Sequence, residues 1–127
     1  MNICDENIDF RQVELLRSWG VRISQIGPDI SRKGIQDDEI VPMLHRLHRP
    51  TLFICDSDFY KRELCHPKYC LVQLDISQRD VAVFIQRILS EKRFGTWALR
   101  QGRVIQYGYE GVRYWQFKVQ QEHRSKW

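Results

Sequence analysis

Long apolar runs are absent from this sequence. No stretch approaches the roughly 20 consecutive apolar residues that a membrane-spanning helix requires. Internal repeats and low-complexity segments are absent as well, which excludes solenoid and fibrous architectures. With 127 residues, of which 43% are apolar and 28% charged, the chain is long enough for one continuous core and too short for two. The sequence therefore predicts one globular domain.

Cysteine is also scarce. The four cysteines are Cys4, Cys55, Cys65 and Cys70, and two of them lie inside apolar runs, where a reduced cysteine packs as a small hydrophobic side chain. We therefore expect free thiols rather than two disulfides. A cysteine nucleophile would need a histidine and an acid at defined positions, and nothing in the sequence fixes that geometry.

A zinc site is disfavoured because the sequence contains no Cys-x-x-Cys pair. The residues that could supply soft ligands are Cys65, His66 and Cys70 in one segment and His45 and His48 in another. Cys70 belongs to an apolar run that is expected to face the core, which removes one of these ligands.

The first ten residues, MNICDENIDF, lack the basic and then apolar layout of a secretory signal, so we expect a cytoplasmic protein with no membrane partner. The net charge is +4, a mild positive excess. Such an excess suits a polyanionic partner such as nucleic acid without requiring one.

The periodicity of apolar residues predicts alternating strands and helices. Residues 2–4 form a short apolar opening, and residues 51–55 and 70–74 are mainly apolar runs typical of strands that are buried on both faces. Residues 21–26 alternate apolar and polar, as a half-buried strand does. Helices are predicted at 10–19, at 37–47 with Asp37 or Asp38 as its cap, and at 77–89.

The last third of the chain is predicted to be mainly β structure. Residues 96–99 and 103–107 flank Gln101-Gly102 and indicate a hairpin, and residues 111–117 suggest an edge strand. We expect residues 121–127 to be a frayed tail and residues 1–120 to form a single domain. The predicted fold class is α/β, with a mostly parallel central sheet, helices on both faces and a C-terminal β hairpin.

Acidic residues follow three of the predicted strands. Asp5 follows the first, Asp56 and Asp58 follow the run at 51–55, and Asp75 follows the run at 70–74. The carboxyl ends of parallel strands lie at one edge of a sheet, which is where such sheets bind ligands. Three further acids, Asp37, Asp38 and Glu39, open a helix and can face this edge if the preceding polar loop folds over it.

Converging carboxylates repel one another unless a cation lies between them. Because the ligands would all be oxygens, Mg²⁺ or Mn²⁺ fits best. Such an ion lowers the pKa of water and neutralises the charge that builds on a phosphate, which is the chemistry of phosphodiester hydrolysis. Taken singly, Asp37, Asp38 and Asp75 also suit helix caps and turns, where most isolated aspartates occur.

Three motifs resemble those of a small branch of the PIN-like nuclease superfamily: CDENI at 4–8, GIQDDEI at 34–40 and ICDSDFY at 54–60. In that branch, an apolar strand leads into Asp-Glu-Asn, a Gly-x-x-Asp opens an acidic helix, and a strand leads into Asp-x-Asp-Phe. The similarity extends to about Ile76. The chain differs where the branch usually has threonine or serine, since Ile54 and Cys55 precede the Asp-x-Asp, and Pro42 lies within the acidic helix.

The resemblance implies a three-layer PIN-like fold and a metal-dependent endoribonuclease, the toxin component of a toxin–antitoxin module. Carried over by position, it implies that Asp5, Asp37, Asp56 and Asp58 are catalytic residues that hold Mg²⁺ or Mn²⁺, with Asp38 and Asp75 as additional acids. Arg32, Lys33, Lys61 and Arg62 are expected to contact the RNA backbone around the acidic edge. The expected partners are RNA, a cognate antitoxin protein and a second copy of the chain.

Two alternatives remain open. The chain could be a catalytically inactive PIN-like protein that acts as a protein- or RNA-binding module. The aromatic residues of the last third could also stack on unpaired bases, although we favour a protein interface for them by analogy with toxins that an antitoxin holds. These residues are Trp97, Tyr107, Tyr109, Tyr114 and Trp115.

Overall fold

The computed structural model describes residues 1–127 as one seven-stranded mixed sheet with four α-helices. The strands are β1 (Asn2–Cys4), β2 (Ser24–Gln25), β3 (Thr51–Ile54), β4 (Cys70–Asp75), β5 (Arg103–Gly108), β6 (Gly111–Gln116) and β7 (His123–Lys126). The helices are α1 (Phe10–Ser18), α2 (Asp37–His45), α3 (Val81–Ser90) and α4 (Trp97–Arg100), and short 3₁₀ turns span Ser57–Phe59, Arg62–Leu64 and Gln78–Asp80.

The strand order is β2-β1-β3-β4-β5-β6-β7, and the first five strands are parallel. From β1 the chain crosses to β2 on one side, and from β2 it crosses back to β3 on the other side of β1. The direction of winding therefore reverses between β1 and β3, which makes this position the topological switch point of the sheet. Strands β6 and β7 extend the sheet in antiparallel fashion.

Helices cover both faces of the parallel strands, as the alternation of elements predicts. Successive strand residues point to opposite faces, so the core divides into two layers. Ile3, Leu52, Leu71 and Val104 pack with Ile40, Met43 and Leu44 of α2. Cys4, Phe53, Val72 and Ile105 pack with residues of α1 and α3. The α/β prediction of a mostly parallel sheet between helices is thus confirmed.

Strand β2 is shorter than the predicted strand at 21–26. The carbonyl of Ile23 accepts hydrogen bonds from the Arg17 guanidinium, 3.2 Å from Nη2, instead of joining the sheet. The cap of α2 also differs from the prediction. Its N-cap is Gln36 rather than Asp37 or Asp38.

The hairpin predicted from 96–99 and 103–107 is wrong. Thr96 accepts a hydrogen bond from the Leu99 N–H, 3.3 Å away, and so caps the short helix α4. That helix places Arg100 in the core, where Nε donates to Thr51 Oγ1 at 3.0 Å. The hairpin is instead formed by β5 and β6, joined through Tyr109-Glu110.

Residues 121–127, expected to fray, include strand β7 instead, and β7 replaces residues 111–117 as the edge of the sheet. Two side-chain contacts hold this segment. The Trp127 indole N–H donates to the carbonyl of Gly108 at 2.8 Å, and Glu122 accepts a hydrogen bond from the Tyr60 hydroxyl at 2.6 Å. The partners, Gly108 and Tyr60, are distant in sequence, so the local sequence pattern did not predict these contacts.

None of the four helices combines the length and the apolar character that crossing a bilayer demands.

The four cysteines are all free thiols, as predicted.

The docking of β7 against β6 can be tested at Gly111. A Cβ at this position would overlap the carbonyl oxygen of Ser125 and lie 2.9 Å from Lys126 Cα. We expect Gly111→Ala to lower the free energy of unfolding in urea by about 1–3 kcal/mol, because backbone atoms of β7 must move. At Gly108 a Cβ would lie 3.4 Å from Asp75 O, an ordinary contact. Gly108→Ala is therefore the matched control and should change stability by less than about 0.5 kcal/mol.

Candidate functional site

The switch point between β1 and β3 carries the first two predicted acids. Cys4 pairs with Phe53 in register, so Asp5 emerges beside the end of β3 and Asp56 follows two residues beyond it. The Asp5 N–H donates to the Phe53 carbonyl at 2.9 Å, which ties the loop after β1 to β3. The predicted convergence of these two chain segments at one sheet edge is therefore present.

Asp5 is the only buried aspartate in this group, with 7% of its surface exposed. Burial raises the pKa of its carboxyl above the ordinary value, and the nearby charges of Asp37 and Glu6 raise it further. Backbone N–H groups of Asn7 and Glu6 partly offset this effect; Asp5 Oδ2 lies 3.3 Å from the Asn7 nitrogen. The surrounding protein therefore compensates the negative charge of an ionised Asp5 only in part.

Glu6 fixes the polar loop at 27–36. Its carboxylate accepts hydrogen bonds from the Gly34 N–H at 2.9 and 3.0 Å. It also passes so close to Gly27 that a Cβ there would lie 2.9 Å from Glu6 Oε2. Gly27 and Gly34 both have positive φ, 100° and 76°, which glycine adopts without strain. This contact joins the loop to the start of the DEN segment and brings the beginning of α2 toward Asp5.

The first turn of α2 contains Asp37 and Asp38, both exposed, and Asp38 lines a small groove together with Arg32 and Arg46. Asp37 is near enough to influence the pKa of Asp5. Glu39 is occupied in two other contacts: it accepts from the Gln36 N–H at 2.8 Å and pairs with Arg32 at 2.8 Å. Glu39 therefore closes the N-terminal end of α2 and is not free to bind a ligand.

Asp56 and Asp58 lie close together in the chain but differ in their contacts. Asp56 Oδ1 accepts a hydrogen bond from the Asp58 N–H at 2.9 Å and so caps the 3₁₀ turn at Ser57–Phe59. Both aspartates are exposed to water, and Phe59, which is buried, anchors the turn in the core layer of α2. Repulsion between the two charges is small because each is solvated.

Asp75 lies further along the same edge, two strands from β1. It lines an open groove of about 730 Å³ formed mainly by β5, β6 and β7. Its register partner on β5 is Gly108. Asp75 therefore shares the edge with the other acids but belongs to a separate concave surface.

Three glutamines that sequence reasoning missed hold the edge together. Gln25 is buried and its amide donates to the carbonyl of Ile8 at 2.8 Å. Gln78 accepts from the Asp9 N–H at 3.0 Å and so links the loop after β1 to the start of α3. Gln73 is buried on β4 and donates to the carbonyl of Cys55 at 2.8 Å. The one sequence signal for the role of Gln73 was that it is a polar residue within the apolar run at 70–74.

Cys55 lies between the acids without the character of a nucleophile. Burial raises the pKa of its thiol to about 11, and the charge of Asp5 contributes to the shift. The thiol is therefore protonated near neutral pH, and a protonated thiol reacts slowly. Of the soft ligands considered for zinc, Cys70 is fully buried and the His45 and His66 rings pack edge to face with their centroids 4.4 Å apart.

The four basic residues expected to contact RNA occupy different surroundings. Lys33 and Lys61 are exposed and form no ion pair, whereas Arg32 is paired with Glu39. The Arg62 guanidinium lies 5.9 Å from the centre of the Trp115 ring, over β6. Lys33 and Lys61 therefore have no carboxylate partner, and the Arg62 side chain is directed toward the hairpin.

No group of three or more histidine, cysteine, aspartate or glutamate side chains is close enough together in this arrangement to hold a metal ion. Asp5 and Asp37, whose charge raises the pKa of Asp5, offer only oxygen donors. This chemistry fits a hard divalent cation such as Mg²⁺ or Mn²⁺, with water as further ligand. Asp56 and Asp58 are exposed on the neighbouring turn.

The buried charge of Asp5 predicts a stability difference that depends on pH. Because the folded-state pKa is raised, the contribution of Asp5 to stability is fully present below its ordinary pKa of about 3.9 and is lost as pH rises through the raised value. In metal-free buffer, Asp5→Asn should therefore raise the Tm by a few degrees at pH 7, and the difference should disappear as the pH is lowered toward 4.

Asp9→Asn is the control of opposite sign. Hydrogen bonds and charge from Arg11 lower the pKa of Asp9, so its carboxylate stabilises the fold at neutral pH and loses this effect in acid. Its removal should lower the Tm at pH 7. If Asp5→Asn also lowers the Tm at pH 7, the carboxylate of Asp5 is favourably paired and the electrostatic description above is wrong.

No family model, curated protein or solved structure matches this chain in comparisons with known proteins.

Proposed function

We propose that this chain is a PIN-like, metal-dependent endoribonuclease, the toxin component of a toxin–antitoxin module. The observation that supports it best is the buried carboxylate of Asp5 at the topological switch point of the parallel sheet, next to Asp37 and beside the strand that leads to Asp56. An uncompensated buried charge reduces stability, and functional sites are where such perturbed groups concentrate. The three motifs at 4–8, 34–40 and 54–60 supply these same residues.

In this proposal, Asp5 and Asp37 would hold a Mg²⁺ or Mn²⁺ ion, with Asp56 and Asp58 on the neighbouring turn after β3. When bound, the ion would supply charge neutralisation at the phosphate and would activate water for hydrolysis. The capping contact of Asp56 orients the turn, and the Glu6–Gly34 contact holds the loop that brings Asp37 to the edge. Lys33 and Lys61, which have no ion-pair partner, contact the phosphates on either side of the scissile bond.

A second function has its own supporting observation. The acids are not gathered into a group of three ligands, and Ile54 and Cys55 replace the hydroxyl residue usual in the branch. An inactive PIN-like protein that binds RNA or a partner protein would retain the fold and the exposed acids without needing the metal. Measurements of RNA cleavage and of metal binding distinguish these two functions.

Cleavage is the direct test. Purified protein with Mn²⁺ should cut single-stranded RNA, and Asp56→Asn should reduce the rate by at least about 100-fold, since it removes a charge from the proposed metal surroundings. Asp9→Asn removes a carboxylate from the neighbouring start of α1 and should cleave at the wild-type rate. Equal cleavage by the wild type and by Asp56→Asn would show that a contaminating nuclease is responsible.

Metal binding can be measured without reference to activity. A ligand that binds only the folded state stabilises it by about 2.7 kcal/mol at 100 times its Kd. Mn²⁺ should therefore raise the Tm of the wild type by roughly 5 °C or more, and the rise should vanish in Asp5→Asn. A wild-type Tm that does not respond to Mg²⁺ or Mn²⁺ would favour the binding module.

A further inference from the structure

The turn at 56–58, which carries two of the candidate acids, is held on both sides by side chains from distant parts of the chain. Before the turn, the Cys55 carbonyl accepts a hydrogen bond from Gln73 Nε2 at 2.8 Å. After the turn, the Tyr60 hydroxyl donates to Glu122 at 2.6 Å. The position of the turn therefore depends on β4 and on the C-terminal segment as well as on its own cap.

Gln73 is the first member of a row of hydrogen-bonded side chains that crosses the sheet. Its register partner on β5 is Gln106, whose own partner on β6 is Arg113, so the three side chains lie on one face. Gln106 Nε2 donates to Gln73 Oε1 at 2.8 Å, and Arg113 Nε donates to Gln106 Oε1 at 2.6 Å. We call these three residues the polar ladder. It runs without interruption from β6 to the Cys55 carbonyl, just after β3.

The direction of the hydrogen bonds in the polar ladder is set at its Arg113 end. A guanidinium can only donate hydrogen bonds, whereas a glutamine amide donates through its NH₂ group and accepts through its oxygen. Gln106 therefore turns its oxygen to Arg113 and its NH₂ group to Gln73, and Gln73 must present its oxygen to Gln106. The NH₂ group of Gln73 then faces the Cys55 carbonyl, to which it donates.

Burial enforces this order. Gln73 is 1% exposed, so water does not replace a partner that it loses. If the buried amide faced the Cys55 carbonyl with its own oxygen, two acceptors would lie together without a donor, which is strongly unfavourable. The contact between Gln73 and Cys55 is thus linked to Arg113, although Gln106 lies between them.

Arg113 also contacts the other side of the turn. Its guanidinium lies 4.6 Å from the centre of the Tyr60 ring. Its Nη1 lies 3.8 Å from Glu122, the carboxylate that accepts a hydrogen bond from Tyr60. One arginine therefore acts on residue 55 through the polar ladder and on residue 60 through the ring and the carboxylate.

We propose that Arg113, acting through the polar ladder and through Tyr60, is a positioning residue that fixes the turn at 56–58. The proposal rests on the proposed function for the part that this turn plays beside an ion, whereas the link between Arg113 and Cys55 does not depend on it. If the polar ladder served only to stabilise the sheet, changes within it would alter overall stability without a specific effect on the turn.

The variant Gln106→Glu reverses the polar ladder without removing a side chain. A carboxylate at position 106 still accepts from Arg113 but cannot donate to Gln73, so Gln73 must turn its NH₂ group toward residue 106 and its oxygen toward Cys55. Repulsion between that oxygen and the Cys55 carbonyl should loosen the turn. Because position 106 is half-buried and lies beside Arg113, the added charge has a partner and the variant is expected to fold.

The measurement is the rate at which iodoacetamide alkylates each cysteine, read by mass spectrometry. Cys55 is partly exposed beside the turn, whereas Cys4 and Cys70 are fully buried and report opening of the whole fold. In Gln106→Glu the Cys55 rate should rise by at least about fivefold with the Cys70 rate unchanged, because only local opening is favoured. The added negative charge would by itself lower the thiolate fraction and slow the reaction, so such a rise is not a charge effect.

The matched control is Gln116→Glu, the same chemical change elsewhere on the sheet. Gln116 is also half-buried and accepts a hydrogen bond from the Nε of an arginine, Arg103, at 2.6 Å. Its Nε2 donates to the Gln101 carbonyl and not to any group of the turn. This variant should leave the Cys55 rate at the wild-type value.

Variants of Arg113 test the other end of the polar ladder. Arg113→Lys keeps a donor there, and its Cys55 rate should stay within about twofold of the wild type, whereas Arg113→Met should behave as Gln106→Glu does. An unchanged Cys55 rate in Gln106→Glu, or an equal rise at Cys55 and Cys70, would overturn the proposal.

Binding of Mn²⁺ separates this proposal from the proposed function. Loss of a residue that orients metal ligands typically weakens metal binding by about 10- to 100-fold, so the Tm rise with Mn²⁺ should be smaller in Gln106→Glu than in Gln116→Glu. A faster Cys55 reaction in Gln106→Glu, with no response of the wild type to Mn²⁺, would support the link between Arg113 and the turn and reject the nuclease. A full Mn²⁺ response in Gln106→Glu would support the metal site and overturn the positioning role of Arg113.

Discussion

Strand β1 pairs with β2 on one side and with β3 on the other, and this pairing fixes the position of the candidate site. It brings residue 5 beside the end of β3, although nearly fifty residues separate them in the chain. The same pairing buries Asp5, whose carboxylate is then deprived of water and close to other negative charges. A parallel sheet imposes this geometry because the ends of its strands share one edge.

The edge is held by contacts between polar side chains and backbone groups. Glu6 fastens the polar loop through Gly34, and the side chains of Gln25, Gln73 and Gln78 satisfy backbone groups in the loops after β1 and β3. These contacts cover the carbonyl and N–H groups that a sheet leaves unpaired where its strands end. They leave Asp37 and Asp58 with exposed carboxylates, whereas Asp56 is exposed and also caps its own turn.

The C-terminal strand connects the two charged regions of the molecule. Glu122 binds Tyr60, which directly follows the Asp56–Asp58 turn, and it also lies between Arg113 and Arg124. The turn that carries Asp56 and Asp58 and the facing arginines of β6 and β7 are thus joined through one carboxylate.

The α/β class, the parallel strands at 51–55 and 70–74, and the position of Asp5 and Asp56 at one edge of the sheet follow from the sequence alone, because buried parallel strands and their acidic ends are local patterns. Tertiary structure decided the hairpin partner of β5, the docking of 121–127 and the roles of Gln25 and Glu122. Trp97–Arg100 became helical because Arg100 finds buried partners in Thr51 and Phe94, and β7 formed because Glu122 and Trp127 contact Tyr60 and Gly108. Such contacts join residues that are far apart in the chain, whereas sequence periodicity reflects only residues that are near one another.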